Sequence, residues 1–397
     1  MSLDEAALLD DVRSRLFAPS SPARTIGAEL ELIPIHTETH AAVRIDDPHL
    51  PSSSRIVRRV AERQGWREAS ADGSAPSWDL PDGARISFEP GGQIEISSAP
   101  QSSCSGLIAS LQNIVSMLSD AAAEEDIELL SAGADPYNGI DSVPLQLAAE
   151  RYLRMTRYLA GRGEFGIRMM RQTAALQISV EHGPRPLDRW RLLNALAPYI
   201  IAIFANSPRY GGRDTGHASY RTHFWRNLDE SRTGIPFRES DPAAAYTRFA
   251  LGAGTLRAEN GAGEFHPFAS LLHAPETAMS DWHFHLSTLF PEIRPKEYFE
   301  VRSADAIAAS DLAAPLVFVT GLVYDDDATM RALDVLGAPD EKMLVIAGRD
   351  GLRDNDLSAR AREVIDVAIE GASRLPDEYL SDAHKEHAAR WLRDRVR

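Results

Sequence analysis

The residues with the clearest chemical potential are glutamates that alternate with apolar residues in two segments predicted to be strands. Glu29 and Glu31 are two positions apart in the segment Thr25–Ile35, and residues two positions apart on a strand share a face. The second segment, Arg85–Ser97, repeats the pattern at Glu89, Gln93 and Glu95. Carboxylate oxygens are preferred ligands of hard divalent cations. These acids are therefore candidates for binding a metal ion.

Two further predicted strands add oxygen ligands and a cation. Thr173–Glu181 places Gln177 and Ser179 on one face, and Glu297–Ser303 places Glu300 and Arg302 on one face. Solvent-facing strands would show the same alternation, but they do not explain why the set is so rich in glutamate. A site for magnesium and a nucleotide does explain it, because Mg²⁺ takes oxygen ligands from both carboxylates and phosphates.

Arginines cluster around a tryptophan in the segment Ser219–Gly234. Arg221, Arg226 and Arg232 lie there with Trp225, and Arg294 and Lys296 follow shortly before Glu300. Arginine binds carboxylates and phosphates through two parallel hydrogen bonds. A solvated helix or loop with ion pairs is the alternative interpretation. If the cluster instead faces the acids, it would neutralise a transferring phosphoryl group.

The elements that position these residues mix strands and helices without regular alternation. Helical spacing of apolar residues at Leu107–Leu118 and at Leu357–Ala368 predicts two helices that each bury one stripe. The pattern favours an α+β fold with a largely antiparallel sheet. We expect residues 1–303 to form a catalytic core and residues 304–397 to form a mostly helical segment packed on it.

Composition limits the classes of function. The chain has 397 residues, a formal net charge of -16 and one cysteine, Cys104. The charge argues against nucleic-acid binding, the single cysteine against a disulfide framework, and the short apolar runs against a membrane span. We expect a cytoplasmic protein. The Gly161–Gly166 segment has the spacing of a dinucleotide-binding turn, but it follows a predicted helix rather than a strand.

Four separated blocks resemble the glutamate–cysteine ligase family of the plant and bacterial type, including the branch that feeds ergothioneine synthesis. The blocks are Gly27–Glu31, Glu89–Glu95, Asn206–Gly234 and Leu289–Arg302. The resemblance implies a glutamine-synthetase-like fold, in which a curved, mainly antiparallel sheet flanked by helices forms a funnel. It also implies an enzyme that uses Mg²⁺ and ATP to join glutamate to cysteine through γ-glutamyl phosphate. The product would enter glutathione or ergothioneine synthesis.

The resemblance also implies roles for individual residues. Five glutamates are expected ligands of Mg²⁺: Glu29, Glu31, Glu89, Glu95 and Glu300. Arg302 and Arg232 are the expected catalytic residues, with Arg302 stabilising the transferring phosphoryl group. The candidate substrate-binding residues are Arg221, Trp225, Arg226, Gln177, Ser179 and Arg294.

One departure from the family pattern leaves alternatives open. The third strand usually resembles Val-Gln-Val-Asn-Leu-Asp, whereas this chain has Ser179 in place of the asparagine. A related ligase that joins glutamate to a different amine is therefore one alternative. A metal-dependent amide hydrolase that uses the same acids without ATP is another.

Overall fold

A computed structural model describes residues 3–21, 23–69, 75–236, 241–256 and 265–397. Within these ranges, eleven strands form one large sheet and one small hairpin. The strands are β1 Ile26–His36, β2 Arg67–Glu68, β3 Trp78–Asp79, β4 Arg85–Phe88, β5 Ile94–Ser97, β6 Ile127–Leu130, β7 Ala175–Val180, β8 Arg209–Tyr210, β9 Arg213–Asp214, β10 Ile293–Pro295 and β11 Phe299–Asp305.

The same ranges contain fifteen α-helices and one short π-helix, Val12–Leu16. The helices are α1 Glu5–Asp11, α2 Ser53–Gln64, α3 Cys104–Ala123, α4 Glu150–Ala160, α5 Phe165–Gln172, α6 Pro186–Ile203, α7 Tyr220–Leu228, α8 Glu230–Thr233, α9 Pro242–Gly252, α10 Met279–Leu286, α11 Ala313–Val323, α12 Asp326–Leu336, α13 Glu341–Asp350, α14 Asn355–Arg374 and α15 Asp382–Arg395. No helix in the described ranges combines the length and the apolar character that crossing a bilayer requires.

The large sheet is antiparallel and open, with the strand order β10-β11-β7-β1-β5-β4-β3-β2. The first half of β1 pairs with β5 and β7, and its second half pairs with β6. Leu30 and Leu32 of β1 are fully buried in the main hydrophobic core. Because side chains alternate on a strand, Glu29 and Glu31 must occupy the other face. The predicted antiparallel α+β architecture is confirmed.

The segment Arg85–Ser97 corrects one expectation, because it is a hairpin rather than one continuous strand. Strands β4 and β5 are joined by a turn in which Gly92 N–H donates to Glu89 O at 2.9 Å. Gly92 has φ +95°, which favours glycine. A Cβ on Gly91 would lie 1.9 Å from Arg171 O, so the turn also packs too closely for a side chain.

The C-terminal helices pack on the sheet-bearing part of the chain. Helix α11 is buried along its whole length and contacts α3, α6, α14 and α15. Helix α13 contacts α6 and α7. The boundary at residue 303 stays a prediction, and strand β11 continues past it to Asp305.

Candidate active site

A cavity of about 170 Å³ lies on the face of the sheet where β5, β1 and β7 are neighbours. Four of the five predicted metal-binding glutamates line it: Glu29, Glu31, Glu89 and Glu95. Among the predicted substrate-binding and catalytic residues, Gln177, Arg221, Trp225, Arg294 and Arg302 line it as well. The fold thus brings together residues from five separated parts of the sequence.

Strand register is what gathers the acids. Glu31 lies directly opposite Glu95 in the β1–β5 pair, and Glu29 lies directly opposite Gln177 in the β1–β7 pair. Like charges placed directly across a strand pair destabilise a sheet. Glu31 is partly compensated, because it accepts hydrogen bonds from Ala175 N–H at 2.8 Å and from Gln177 Nε2 at 3.1 Å.

Burial, and after it the repulsion between neighbouring acids, raises the pKa of three of these glutamates. Burial, together with the charges of Glu300 and Glu95, raises the pKa of Glu29 to about 7. Burial and Glu95 raise the pKa of Glu31 to about 7 as well. Burial and the neighbouring acids Glu95 and Glu31 raise the pKa of Glu89 well above its ordinary value. Carboxylates that are costly to ionise alone are stabilised when a cation joins them.

The donor set fits Mg²⁺ when phosphate oxygens complete it. In the part of the chain that the structure describes, no three His, Cys, Asp or Glu side chains converge into a ready-made metal cage. Mg²⁺ keeps several waters and is usually bound through one or two carboxylates and substrate phosphates. The four carboxylates line one cavity, and three of them have a raised pKa, so they fit this kind of site.

Glu300 differs from the other four acids because cations surround it. It is fully buried and forms ion pairs with Arg294 at 2.7 Å, Arg302 at 2.7 Å and Lys296 at 2.5 Å. Although burial opposes ionisation, these cations hold the pKa of Glu300 below its usual range. Glu300 does not line the cavity itself, so in this arrangement it gathers the cations that do.

Arg302 connects this cationic group to the acids. Its Nη1 donates to Glu300 Oε2 at 2.7 Å and to Gln177 Oε1, which belongs to the amide that donates to Glu31. The β7–β11 pairing has a bulge between Val301 and Ala304, and bulges are common where a strand redirects a side chain beside an active site.

Helix α7 also contributes side chains to the cavity lining. Ser219 caps the helix by accepting from Thr222 N–H. Arg221 donates from Nη2 to Arg302 O at 2.8 Å, and its guanidinium lies 4.9 Å from the centre of the Trp225 ring. Trp225 donates from Nε1 to Phe290 O at 2.8 Å. The side chains of Arg221 and Trp225 are therefore fixed before any substrate binds.

A buried aspartate ties α7 to the end of β11. Asp305 accepts hydrogen bonds from Asn206 N–H at 2.8 Å, Ser207 Oγ at 2.7 Å and Ser219 Oγ at 2.9 Å. Its nearest oxygen lies 3.9 Å from Arg221 Nη1. Asp305 thus fixes the helix start from which Arg221 projects.

Helix α13 also contacts the start of α7. Gly348 O accepts from Ala218 N–H at 3.1 Å and from Ser219 N–H at 2.8 Å. A Cβ on Gly348 would lie 2.7 Å from Thr222 Cγ2, so the two helices approach closely.

Besides Glu300, three predicted site residues lie outside the cavity lining. Arg232 is buried, and it donates to Thr288 O at 2.7 Å and to Gly254 O. Arg226 is ion-paired with Glu292 at 3.0 Å. Ser179 pairs with Glu300 in the β7–β11 ladder and lines a neighbouring hollow that shares Glu29 with the cavity. Their predicted functional roles stay predictions.

Several lining residues escaped the sequence reasoning. They include Arg151, Tyr152 and Met155, which project from α4. Positions 151, 152 and 155 share one helix face, so helical periodicity could have grouped them. Lys296 was recognised as a cation but was not assigned to the site.

Comparison with known proteins identifies the family. The model of glutamate-cysteine ligase family 2 (GCS2) matches residues 25–393. The chain belongs to this family. Glutamate–cysteine ligase EgtA of Mycolicibacterium smegmatis is 32% identical over 333 residues, which cover 77% of this chain and 78% of that protein. The chloroplastic glutamate–cysteine ligase of Arabidopsis thaliana is 29% identical over 374 residues, covering 88% of this chain and 70% of that protein.

A solved structure supports the fold independently of close sequence similarity. The crystal structure of glutamate–cysteine ligase from Francisella tularensis, in complex with AMP, matches with a TM-score of 0.53 at 14% identity. The match covers 95% of this chain and 83% of that chain. This member of glutamate-cysteine ligase family 2 therefore has the glutamine-synthetase-like fold that the four sequence blocks implied.

Proposed function

We propose that the chain is an ATP- and magnesium-dependent glutamate–cysteine ligase that forms γ-glutamylcysteine through γ-glutamyl phosphate. The observation that carries the proposal is the cavity in which four glutamates face Arg221, Arg294, Lys296 and Arg302. Carboxylates alone would suit metal binding, and arginines alone would suit anion binding. Their combination suits a reaction in which a phosphoryl group passes between two anions.

In the proposed reaction, glutamates 29, 31, 89 and 95 would hold Mg²⁺. The ion would supply charge neutralisation at the phosphate oxygens of ATP. Arg302, Arg294 and Lys296 would hold the γ-phosphoryl group while the γ-carboxylate of glutamate attacks it. Arg221 and Trp225 would orient the glutamate substrate, since both are fixed by hydrogen bonds to Arg302 O and Phe290 O.

Activation of the carboxylate is the reason for using ATP. A carboxylate is a poor electrophile, whereas its acyl phosphate has a good leaving group. The amine of cysteine would attack the acyl carbon, and positioning of the two reactants would supply most of the remaining rate enhancement.

The names of the relatives support cysteine as the acceptor, since EgtA and the plant proteins are glutamate–cysteine ligases. The location of Ser179 outside the lining of the cavity weakens the case for a different amine. We further propose a cytoplasmic enzyme whose product enters glutathione or ergothioneine synthesis, with a core of residues 1–303 and a helical segment of residues 304–397.

The test is phosphate release by purified protein with Mg²⁺, ATP and glutamate, with and without cysteine, followed by mass analysis of the product. We expect release that depends on cysteine and a product with the mass of γ-glutamylcysteine. Omission of Mg²⁺ should abolish release. Equal turnover with other amines but not with cysteine would overturn the choice of acceptor, and product formation without ATP would overturn the ligase assignment.

A further inference from the structure

A second cavity, of about 210 Å³, lies beside the candidate active site. The two cavities share Arg151, Arg294 and Lys296 as a common wall. The second cavity is completed by Arg15 and His283. No carboxylate lines it among the described residues, in contrast to the four that line the active site. We call this space the basic chamber.

The cations of the basic chamber are held in place by two acids behind them. Asp11 accepts from Arg15 Nε at 3.1 Å and Nη2 at 3.1 Å, and it lies 3.0 Å from His283 Nε2. Although burial opposes it, these partners lower the pKa of Asp11. Glu300 holds Arg294 and Lys296 in the same way. Ordering the side chains in advance reduces the entropy that an incoming anion must lose on binding.

Arg151 has capacity for a further partner. Its Nη2 donates to Ser287 O at 3.0 Å, whereas its Nε is buried and has no hydrogen-bond partner in the described part of the chain. With Arg15, Arg294 and Lys296, Arg151 gives the chamber four positive charges, and within the described residues Asp11 and Glu300 are the carboxylates in ion-pair contact with them. The chamber therefore has an excess of positive charge inside a protein of net charge -16.

The outer wall comes from a segment that the family match does not include. Arg15 and Leu16 lie on the π-helix Val12–Leu16, before the matched residues 25–393. Short π-helical turns are rare and are frequent at functional sites. The basic chamber thus combines residues inside the matched range with residues that precede it.

We propose that the basic chamber binds the inorganic phosphate that the reaction releases, an inference that rests on the proposed ligase function. When the amine attacks the acyl carbon, a carbon–nitrogen bond forms and the carbon–oxygen bond to phosphate breaks. Phosphate leaves with the electron pair, and the nitrogen gives up its proton to water. The carboxylates that would hold Mg²⁺ line the active site and not the chamber. Arg294 and Lys296 face both cavities, so phosphate can pass into the chamber without losing its charged partners.

The direct test measures binding of radiolabelled inorganic phosphate to the substrate-free protein by equilibrium dialysis. We expect Arg15→Gln to weaken phosphate binding by about tenfold or more, because it removes a charge-assisted contact. Arg13→Gln is the matched control: Arg13 lies on the same π-helix but pairs with Asp241 at 2.5 Å and does not line the chamber. The control should bind phosphate within twofold of the original protein. Unchanged binding in Arg15→Gln would overturn the proposal.

A kinetic test separates phosphate from a substrate carboxylate as the occupant. Arg15→Gln should raise the inhibition constant of added phosphate about tenfold and leave the KM values for ATP, glutamate and cysteine within twofold. A raised KM for an amino acid with unchanged phosphate inhibition would assign the chamber to a carboxylate and refute the proposal. His283→Gln, on a different helix, should weaken phosphate binding in the same direction if Arg15→Gln fails to fold. Absence of ligase product in the original protein would refute the proposed function. The dialysis result would still stand on its own, because phosphate binding is measured there without turnover.

Discussion

Replacing Glu300 by glutamine would remove one fully buried negative charge and keep the shape of the side chain. Three cations lie 2.5 to 2.7 Å from this carboxylate. Breaking a buried ion pair by removing one partner costs about 3–5 kcal/mol, because the remaining charge stays buried without compensation. We therefore expect Glu300→Gln to lower the free energy of unfolding by about 3–5 kcal/mol.

The assay is urea denaturation of the ligand-free protein, with Glu297→Gln as the control. Glu297 is exposed three positions earlier, and the same chemical change there should alter stability by less than about 0.5 kcal/mol. Because the folded pKa of Glu300 lies below its unfolded value, its contribution is complete above the unfolded pKa and is lost only as the pH falls through the folded pKa. Because the charge of Glu300 also helps to raise the pKa of Glu29 to about 7, the difference in stability between protein and variant should be constant only above about pH 8. Unchanged or increased stability of Glu300→Gln would refute the reasoning.

Three further predictions concern the other acids. Glu95→Gln should lower kcat by at least about 100-fold in the phosphate-release assay, because it would remove a charged ligand of the proposed Mg²⁺ ion. Retained turnover would remove Glu95 from the proposed metal site. The pKa values of Glu29 and Glu31 are raised to about 7, so the folded protein binds more protons than the unfolded chain between about pH 4.5 and 7. Stability of the ligand-free protein, measured by thermal denaturation, should therefore fall as the pH rises through that range. Mg²⁺ with ATP should make this fall smaller. A rise in stability over the same range would contradict the raised pKa values of Glu29 and Glu31. Asp305→Asn should cost about 1–3 kcal/mol, because an amide nitrogen then faces hydrogen-bond donors, and it should raise the KM for glutamate through Arg221; a stability loss with an unchanged KM would limit Asp305 to a structural role.

The parts of the site that the sequence predicted are those governed by strand alternation. Glu29 and Glu31 share a face because β1 is a regular strand over its full length. The same rule was wrong for Arg85–Ser97, since a turn containing Gly91 and Gly92 interrupts the pleat. Glu89 and Glu95 still meet in the cavity, but antiparallel pairing of β4 with β5 brings them together rather than parity on one strand.

The parts that could not be predicted depend on tertiary contacts. Whether a buried carboxylate meets other acids or meets cations is decided by the neighbouring strands, and Glu300 meets Arg294 because β10 pairs with β11. Arg221 and Arg232 look alike in sequence, yet one lines the cavity and the other donates to backbone carbonyls. Arg151 lies on a helix whose inward face is set only by packing.

The contact between α13 and the start of α7 bears on how the enzyme matures during synthesis. The N–H groups of Ala218 and Ser219 donate to Gly348 O, and Ala218 N–H also donates to Arg349 O, about 130 positions later in the chain. A nascent chain that has emerged only as far as the last sheet strand therefore lacks the α13 contact that also holds the start of the helix bearing Arg221. Domains generally fold as units once their whole sequence is available. The capacity to bind substrate should accordingly arise late in translation, and it should do so in a single step when α13 docks.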